Sequence, residues 1–402
     1  MTNLLPVFEA QRRICTAMPV VDVEQVQLAD AYGRILAKNE AARRTQPPHA
    51  VSAMDGYAVI AEDIKTLPKS LSVIGEVPTG QKYIGSLSSG QAIRLFTGSR
   101  VPDGADTIVI QENTERTGDI VRVVCGEAPS GKFIRKAGLD FSEGDVLLNA
   151  PKKLSARDIG LAASMNLPWL TVRQKPRISL LATGDEIVMP GNPIGENQIV
   201  SSNVLALQSL IRCHGGQPID LGIAPDNEKQ FYEIAKNALR TDVLVTTGGA
   251  SVGNYDLVQK VLRKMGLELN FWQIAMRPGK PLMFGNIDKT MIIGLPGNPV
   301  SSFVCAKIFL APAIEAMQGL KQFTVNTRKA QLGCYLNEND EREDYLRAVT
   351  SVSENGTLIA TPFPKQDSSA FSDLAKSDCL IIRPPFAAEA KKGETVDIFW
   401  LG

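Results

Sequence analysis

The sequence predicts a multidomain α/β protein whose largest domain is a doubly wound, mainly parallel sheet. Between residues 175 and 317, short apolar runs typical of strands alternate with amphipathic runs typical of helices. Such alternation is characteristic of a doubly wound sheet. Short apolar runs separated by Gly/Pro turns lie on both sides of this region and indicate β-rich segments. The chain has 402 residues, which is enough for about two to four domains.

The first part of the chain predicts a helical segment that is split in sequence. Residues 7–18 place apolar side chains among charged ones and predict an amphipathic helix. The consecutive prolines Pro47 and Pro48 end this region, and short strand-like runs follow as far as residue 142. A helical pattern returns over 150–170. These changes predict a β-rich domain inserted into a helical segment.

The α/β region resolves into a regular succession of elements. In chain order they are a strand at 177–182, a helix at 201–213, a strand at 219–223, a helix at 228–240, a strand at 242–246, a helix at 255–265, strands near 269–275, 281–285 and 290–294, and a last helix from Pro299. After Phe323 the pattern is β-rich again and predicts a small barrel or sandwich. The predicted domains are therefore a split helical segment (1–44 and 143–174), an inserted β-rich domain (45–142), an α/β domain (175–324) and a C-terminal β domain (325–402).

Charge and composition exclude several classes of protein. Lys+Arg and Asp+Glu are balanced at 43 each, which argues against a partner that is a nucleic acid or a membrane surface. Small anionic ligands remain allowed, because charge can be concentrated locally. The chain has only two histidines, His49 and His214, so zinc and haem sites are not expected.

Cysteine usage and the apolar segments predict a cytoplasmic protein. The six cysteines are scattered without a CxxC pair and are typical of reduced thiols. The N-terminus lacks the pattern of a signal peptide. The longest apolar stretch, from Val300 to Met317, is interrupted by Lys307, Pro312 and Glu315, and we interpret it as too polar to span a bilayer.

Three glycine-containing turns predict the ligand site. Each follows an apolar strand, and they lie at 181–186, 245–251 and 291–302. Ligands of doubly wound sheets bind beyond the carboxyl ends of the strands. The last turn reopens as a helix near Pro299, where free backbone N–H groups bind anions. The sequence therefore predicts a site for a small molecule that carries phosphate.

Charged residues near these turns have competing interpretations. Asp185 and Glu186 are adjacent carboxylates at a strand end, which favours a functional role over a polar loop. Arg277 and Lys280 flank a Pro-Gly turn that fixes their direction and suits a doubly charged oxyanion. Asp226 precedes a predicted helix, and taken alone it favours helix capping.

Three further features are less informative. Asp256 has the same ambiguity as a helix cap, shared with Asn254. No physical rule singles out Asp55. The GxxxxGK spacing at 126–132 resembles a P-loop, but Phe133 replaces the Ser or Thr and no helix pattern follows. We interpret that segment as a surface turn.

Taken together and in order, these motifs resemble the molybdopterin molybdenumtransferase family, the MoeA-like molybdenum insertases. The resemblance covers nearly the whole chain. Its motifs are Ser52-Ala-Met-Asp-Gly-Tyr-Ala, Phe96-Thr-Gly with Pro102-Asp-Gly-Ala-Asp-Thr-Ile-Val-Ile-Gln-Glu, Arg135-Lys-Ala-Gly-Leu-Asp-Phe, Thr183-Gly-Asp-Glu, Gly248-Gly-Ala-Ser-Val-Gly, Pro278-Gly-Lys-Pro and Gly294-Leu-Pro-Gly-Asn-Pro.

The resemblance implies a fold, an activity and partners. The fold would join the four predicted parts, with the α/β domain binding molybdopterin. The activity would be Mg²⁺-dependent cleavage of adenylylated molybdopterin, which releases AMP, and insertion of molybdate into the dithiolene. The protein would be an elongated homodimer with its site between subunits, with transient contacts to the molybdopterin adenylyltransferase and to recipient molybdoenzymes.

The resemblance also implies which residues form the site. The catalytic set would be Asp55, Thr97, Asp140 and Glu186. The molybdopterin-binding set would be Thr183, Gly184, Asp185, Gly248, Gly249, Ser251, Pro296, Gly297 and Asn298. The oxyanion positions of the family correspond to Arg277, Lys280, Ser301, Arg347 and Ser368, where Arg277 replaces a lysine common in relatives.

Physical chemistry separates the carboxylates from the oxyanion positions. Molybdate is a dianion that clustered carboxylates would repel, so we assign it to the Arg/Lys/Ser set. Carboxylates are hard oxygen ligands suited to Mg²⁺ beside a phosphoanhydride. We therefore assign Asp226 and Asp256 as the metal ligands.

Two alternative functions remain. A molybdopterin adenylyltransferase shares the α/β domain type, although the additional β domains argue against it. A non-catalytic scaffold could retain the fold, although the acidic residues are present. A dehydrogenase is disfavoured because no GxGxxG follows a strand.

Overall fold

The computed structural model describes residues 4–248, 257–320 and 327–401. The chain forms two compact units. One, here called the β-rich unit, covers Gln25–Val172. The other, here called the α/β unit, combines the residues before position 25 with those from Arg173 onward. The first helix, α1 (Val7–Ala17), belongs to the α/β unit.

The β-rich unit is built mainly from short strands and contains one α-helix of nine residues. Its strands are β1 (Val23–Gln27), β2 (Ile35–Leu36), β3 (Glu40–Ala41), β4 (Val51–Ser52), β5 (Gly56–Val59), β6 (Lys69–Val77), β7 (Gln91–Leu95), β8 (Thr107–Ile110), β9 (Thr114–Thr117), β10 (Ile120–Val123), β11 (Ile134–Arg135), β12 (Val146–Leu148), β13 (Lys152–Lys153) and β14 (Trp169–Arg173), and its α-helix is α2 (Ala156–Ser164). The inserted domain contains a six-stranded sheet of order β8-β5-β7-β6-β10-β9.

The segment that is split in sequence is joined in space. Strand β2 pairs with both β13 and β14, and β3 pairs with β12. This segment contains fewer helices than predicted, because most of it forms these short pairings. Its helix α2 begins at a complete capping box, in which Ser155 and Asp158 bond reciprocally.

The predicted boundary at residues 1–44 needs a correction. Helix α1 buries Val7, Ala10 and Ile14 in the same core as Ile308 and Phe309 of the α/β unit. The amphipathic pattern predicted the helix correctly. It could not identify the partner, because an apolar face can pack against any other apolar face.

The α/β unit contains the predicted alternation. Its strands are β15 (Arg177–Thr183), β16 (Ile187–Val188), β17 (Ile199–Val200), β18 (Gln217–Ala224), β19 (Val243–Thr247), β20 (Glu268–Gln273), β21 (Met276–Arg277), β22 (Pro281–Ile287), β23 (Thr290–Leu295), β24 (Thr327–Leu332), β25 (Glu343–Val352), β26 (Leu358–Pro362), β27 (Cys379–Arg383) and β28 (Thr395–Trp400). Its further helices are α3 (Asn203–Cys213), α4 (Glu228–Ala238), α5 (Leu257–Lys264), α6 (Pro299–Cys305), α7 (Ala311–Met317) and α8 (Phe371–Ala375).

The central sheet is doubly wound, as predicted. Its strand order is β18-β15-β19-β23-β22-β20. The first four strands are parallel, whereas β22 runs antiparallel to β23 and β20. Strand β15 lies between β18 and β19 in the sheet. The chain passes from β15 to β18 on one side and then crosses to β19 on the other side. The order therefore reverses at β15, and a ligand crevice is expected beyond its carboxyl end.

The C-terminal strands close into a small barrel. Strands β25, β26, β24, β28 and β27 pair in succession, and an additional β25–β27 pairing completes the ring. Strand β21 pairs in parallel with β25, so a segment between two strands of the central sheet, β20 and β22, joins the sheet of the barrel. This pairing joins the turn carrying Arg277 to the C-terminal domain.

The long apolar stretch of the sequence is a core helix. Among the described residues, Pro299–Met317 is one helix with the length and composition to cross a membrane, and its mean hydropathy is 1.5. The composition is therefore less polar than we predicted. However, 78% of this stretch is buried inside the protein, and packing in the core accounts for its apolar side chains.

A π-helical turn at Ala306–Leu310 interrupts this helix. The carbonyl of Ile308 accepts a hydrogen bond of 3.0 Å from Nε2 of Gln11, and Gln11 is only 4% exposed. A wider helical turn leaves carbonyl groups displaced from their regular partners. Gln11 therefore satisfies a buried acceptor while α1 packs against this helix.

We expect Gln11→Leu to lower the free energy of unfolding by about 1–3 kcal/mol, because it leaves the Ile308 carbonyl buried without that donor. Chemical denaturation of the full chain measures this. Phe8→Ala in the same helix is the control, since Phe8 is 67% exposed, and it should change stability by less than about 0.5 kcal/mol. Equal stability of Gln11→Leu and the parent would contradict the assignment.

Candidate functional site

Three backbone turns meet at the carboxyl ends of β15, β19 and β23. A Cβ built on Gly297 would lie 3.4 Å from the Cα of Gly248. A Cβ built on Gly248 would lie 2.5 Å from the carbonyl oxygen of Thr183, and the φ of Gly248 is +94°. Only glycine combines that backbone angle with that approach. The structure thus brings together the three turns that the sequence singled out.

A cavity of about 610 Å³ lies among these turns. Its lining includes five of the nine residues predicted to bind molybdopterin, namely Thr183, Gly248, Pro296, Gly297 and Asn298. Gly184 and Asp185 follow Thr183 but are not part of the lining, and Gly249 and Ser251 lie outside the described residues. The cavity is large enough to enclose a drug-sized heterocycle.

Asn203 is a cavity residue that the sequence analysis missed. Its Nδ2 donates to the Oγ1 of Thr247 and to the carbonyl of Gly297, both at 2.8 Å. Asn203 is the first residue of α3. An asparagine at the start of the helix after the first strand was a visible signal, but helix starts commonly carry asparagine for capping alone.

Two polar atoms of the cavity lining have unused hydrogen-bonding capacity. Within the described ranges, Oγ1 of Thr183 and Oδ1 of Asn203 are buried and have no hydrogen-bond partner. Thr183 as a whole is 3% exposed. Leaving such an atom unsatisfied costs about 1–3 kcal/mol. A ligand with polar atoms would recover part of this cost.

Three carboxylates follow the strand ends on one side of this cavity. The backbone N–H of Asp226 donates to Oδ1 of Asp185 at 3.1 Å. The pKa of Asp226 is raised mainly by partial burial and to a smaller extent by the negative charges of Asp185 and Glu186. Glu186 lines the cavity, and its carboxylate lies over Gly184 in the space that a Cβ would fill.

Asp226 is not a helix cap. Helix α4 is capped by Asn227, whose side-chain oxygen accepts from the N–H of Gln230 at 3.1 Å. The interpretation that we favoured for Asp226 taken alone is therefore wrong, because the next residue performs the capping. The Asp226 carboxylate is left beside two like charges that a cation would neutralise.

The carboxylates fit a magnesium site that a substrate completes. In the part of the chain that the structure describes, no group of three or more His, Cys, Asp or Glu side chains is arranged to hold a metal on its own. Asp256, the second predicted ligand, lies outside the described residues. Mg²⁺ is commonly held by one or two carboxylates together with substrate phosphates. Asp226 and its neighbours agree with that mode of binding.

Arg277, which is predicted to bind an oxyanion, is ion-paired within the protein. Its Nη1 donates to Oδ2 of Asp340 at 3.0 Å, and its Nη2 donates to Oδ2 of Asp344 at 2.5 Å. These carboxylates raise the pKa of Arg277. Lys280, three residues later, has no ion pair with any described residue and precedes Pro281 of the cavity lining.

Arg347 is likewise used within the protein. It is only 1% exposed, and its guanidinium donates to the carbonyls of Lys365 and Ala370 at 3.2 and 2.9 Å. Burial lowers the pKa of Arg347. Arg347 therefore holds the loop at 365–370 and is not part of the cavity lining, and its binding of an oxyanion stays a prediction.

The loop held by Arg347 packs on the turn at Asn298. Nδ2 of Asn298 donates to Oγ of Ser368 at 2.9 Å, and the N–H of Val300 donates to the carbonyl of Ser368 at 3.0 Å. The first N–H of this helix is therefore already bonded and does not contribute to the predicted anion site. Ser301 follows and is 5% exposed.

In the β-rich unit, the structure brings Asp55 and Thr97 together. The backbone N–H and the hydroxyl of Thr97 both donate to Oδ1 of Asp55 at 2.7 Å. These two hydrogen bonds lower the pKa of Asp55. Asp140 lines a separate cavity of this unit, which also includes Gly98 beside Thr97.

We expect Thr97→Val to raise the pKa of Asp55, because it removes the hydroxyl donor and keeps the backbone donor. A carboxyl-detected NMR titration measures this shift. Thr79→Val is the control, since the hydroxyl of Thr79 donates to the carbonyl of Thr97 and not to Asp55. An unchanged Asp55 titration in Thr97→Val would refute the hydrogen-bond assignment.

Comparison with family models divides the chain into three matched regions. Residues 5–166 match the MoeA N-terminal region (domain I and II), and residues 179–316 match a probable molybdopterin binding domain. Residues 329–401 match the MoeA C-terminal region (domain IV).

Comparison with known proteins extends this similarity to the whole chain. The chain is 32% identical over 409 residues to the molybdopterin molybdenumtransferase of Haemophilus influenzae, with 98% of each chain covered. It is 36% identical over 391 residues to the Nostoc protein of the same name, covering 95% of this chain and 87% of the relative. The solved molybdopterin biosynthesis MoeA protein of Pyrococcus horikoshii matches with a TM-score of 0.85 at 27% identity, with 100% of both chains covered. Since this similarity runs along nearly the whole sequence, the chain belongs to the molybdopterin molybdenumtransferase (MoeA) family.

Proposed function

We propose that this protein performs the metal-insertion step of molybdenum cofactor biosynthesis. It takes adenylylated molybdopterin and molybdate, cleaves the phosphoanhydride to release AMP, and inserts molybdenum into the dithiolene. The observation that carries this proposal is the cavity at the carboxyl edge of the sheet, where three glycine turns meet and Glu186 forms part of the wall.

The cavity side of the α/β unit binds the pterin and its phosphate. The glycines at 248 and 297 allow a ligand to approach the backbone closely. Thr183 and Asn203 offer buried oxygen atoms with unused hydrogen-bonding capacity. An N–H group of the pterin suits the Oδ1 of Asn203, since that oxygen only accepts hydrogen bonds.

The carboxylates divide between holding a cation and handling water. Asp226 and Asp256 would hold Mg²⁺, which would neutralise phosphate charge and polarise the phosphorus. Asp55 has a lowered pKa and is therefore ionised at neutral pH. An ionised carboxylate orients water and accepts its proton, and we assign this work to Asp55, Asp140 and Glu186, with Thr97 holding Asp55.

Molybdate binds beside Lys280, with Ser301 and Ser368 as hydroxyl donors. Arg347 positions the Ser368 loop through its buried hydrogen bonds to carbonyl groups. Arg277 positions the turn that carries Lys280, because its two carboxylate partners already neutralise its charge. Lys280 then supplies the free positive charge that a dianion requires.

The assembly that we propose is a homodimer with its site between subunits. This proposal rests on the family to which the chain belongs. Transient contacts with the molybdopterin adenylyltransferase and with recipient molybdoenzymes are part of the same proposal. The cytoplasm is the proposed compartment, because all six cysteines are free thiols.

Two observations favour insertion over the alternatives. The matches to MoeA N-terminal and C-terminal regions lie outside the α/β domain that an adenylyltransferase would share. Glu186 on the cavity wall and the Asp226 neighbourhood retain the carboxylates that a scaffold would not need.

The test is to incubate the purified full-length protein with adenylylated molybdopterin, Mg²⁺ and molybdate. We expect AMP release without ATP, together with molybdenum cofactor that activates an apo-molybdoenzyme. Asp226→Asn should slow AMP release about 100-fold or more, since it weakens the metal-binding set. Glu196→Gln is the matched control, because Glu196 is exposed and lies outside the cavity lining. Absence of both AMP and cofactor with the parent protein would overturn the proposed function.

A second experiment separates the two cations of the Pro-Gly turn. Lys280→Met should raise the KM for molybdate about tenfold or more, because it removes a charged donor. Arg277→Lys should change that KM by less than about threefold and lower the melting temperature, because Arg277 ties the turn to Asp340 and Asp344. If Arg277→Lys raises the molybdate KM as much as Lys280→Met does, Arg277 binds the oxyanion directly.

A further inference from the structure

The turn that carries Lys280 rests on the end of helix α6. This helix begins at Pro299, which lines the cavity, and ends at Cys305. The Sγ of Cys305 donates a hydrogen bond to the carbonyl oxygen of Gly279 at 3.7 Å. Cys305 is fully buried, and Gly279 is buried as well. The proposed function leaves this thiol without a role, although it contacts the residue immediately before Lys280.

The thiol of Cys305 occupies the space that a side chain at position 279 would need. A Cβ built on Gly279 would overlap with Sγ of Cys305 and would lie 3.5 Å from Sδ of Met276. The φ of Gly279 is +114°, an angle that glycine adopts without strain. The backbone at position 279 therefore lies directly against the sulfur, and no side chain between them could absorb a change at position 305.

The peptide groups on both sides of Lys280 are held by hydrogen bonds. The carbonyl that Cys305 contacts belongs to the peptide group that joins Gly279 to Lys280. The carbonyl of Lys280 accepts a hydrogen bond of 3.0 Å from the N–H of Ile274. Because one bond lies on each side, the backbone direction of Lys280 is fixed, whereas its side chain stays partly exposed.

The environment of Cys305 favours a structural contact over chemical reactivity. Burial raises the pKa of the Cys305 thiol. The thiol therefore keeps its proton at neutral pH and remains a hydrogen-bond donor. A buried, protonated thiol is neither a good nucleophile nor a good metal ligand. Packing and hydrogen bonding against the turn are thus the chemistry that is open to Cys305.

We propose that Cys305 is a positioning residue for Lys280, because its thiol holds the Gly279–Lys280 peptide group and so fixes the point from which Lys280 reaches an oxyanion. This inference rests on the proposed function, in which Lys280 binds molybdate. Arg277 ties the same turn to Asp344 of the barrel, whereas Cys305 holds it from the helix that borders the cavity. Loss of the thiol should displace Lys280 without removing its charge.

Hydrogen exchange of the full-length protein tests the positioning without any turnover, when it is read by mass spectrometry on peptides that contain residues 274–281. Cys305→Ala removes the donor and leaves a void, so amide exchange in this segment should become about tenfold faster. Cys305→Ser keeps a hydroxyl donor and should bring exchange to within about threefold of the parent. Cys305→Val, which fills the space without a donor, replaces Cys305→Ala if that variant does not fold. Parental exchange in the variant without a donor overturns the proposal.

Steady-state kinetics test the consequence for the oxyanion. Cys305→Ala should raise the KM for molybdate about fivefold and change kcat at saturating molybdate by less than about twofold, because Lys280 keeps its charge but loses its position. Cys305→Ser should return this KM to within about twofold of the parent, since it restores a donor. A role confined to stability would lower the melting temperature and leave the KM unchanged. A parental KM in Cys305→Ala therefore also overturns the proposal.

Cys379→Ala is the matched control. Cys379 is also fully buried, and its Sγ donates to the carbonyl of Ala348 at 3.9 Å within the barrel. Loss of this thiol removes a similar contact at a place that does not touch the turn. Exchange over residues 274–281 and the KM for molybdate should both stay parental. Equal changes in Cys379→Ala and Cys305→Ala would show a general loss of stability and would contradict the positioning role.

Failure of this proposal is distinguishable from failure of the proposed function. A parent protein that releases no AMP from adenylylated molybdopterin overturns the proposed function, but the exchange measurement still decides whether Cys305 holds the turn. An active parent protein whose Cys305→Ala variant keeps the parental KM for molybdate retains the proposed function and overturns the positioning role.

Discussion

The close approach of three backbone turns at the carboxyl edge of the parallel sheet is the constraint on which the main cavity depends. Gly248 lies between the carbonyl of Thr183 and the turn at Gly297, at distances that no side chain could share. Because the turns touch, Asn203 can bridge two of them through a single amide nitrogen. The same bridge leaves its oxygen, and the hydroxyl of Thr183, with unused hydrogen-bonding capacity. The close approach of the turns therefore also places the polar atoms that can bind a ligand.

The charged side chains of this protein fall into two groups. Some are bonded within the protein and stabilise its structure, whereas others have no such partner and can bind a ligand. Arg277 and Arg347 both act within the α/β unit. Arg277 ties the turn before β22 to Asp344, and Arg347 ties the loop at 365–370 to the barrel. A planar guanidinium with several donors is suited to such cross-linking. Lys280, in the same unit, has no ion pair with a described residue. Partial burial, together with the negative charges of Asp185 and Glu186, raises the pKa of Asp226. A cation bound there would neutralise these charges.

Much of the architecture could be predicted because periodicity reports which face of each element is buried. The alternation over 175–317 predicted the sheet, and the late β pattern predicted a small barrel. It was harder to predict which charged residues are bonded within the protein and which remain available to a ligand. Arg277 and Arg347 looked available in sequence, but their partners Asp340 and Lys365 are distant along the chain. Asp226 looked like a cap until Asn227 was seen to occupy that position.

By itself, the sequence determined the order of strands and helices, the glycine turns that follow the strands, and the family to which the ordered motifs point. Those features are local, since hydrophobic period and backbone freedom depend on neighbouring residues. Only the tertiary structure decided that α1 packs beside Ile308, that Asn203 bridges Thr247 and Gly297, and which arginines are already bonded. Such contacts join residues far apart in the chain, and hydrogen-bond geometry within a few ångströms selects among partners that the sequence presents as equivalent.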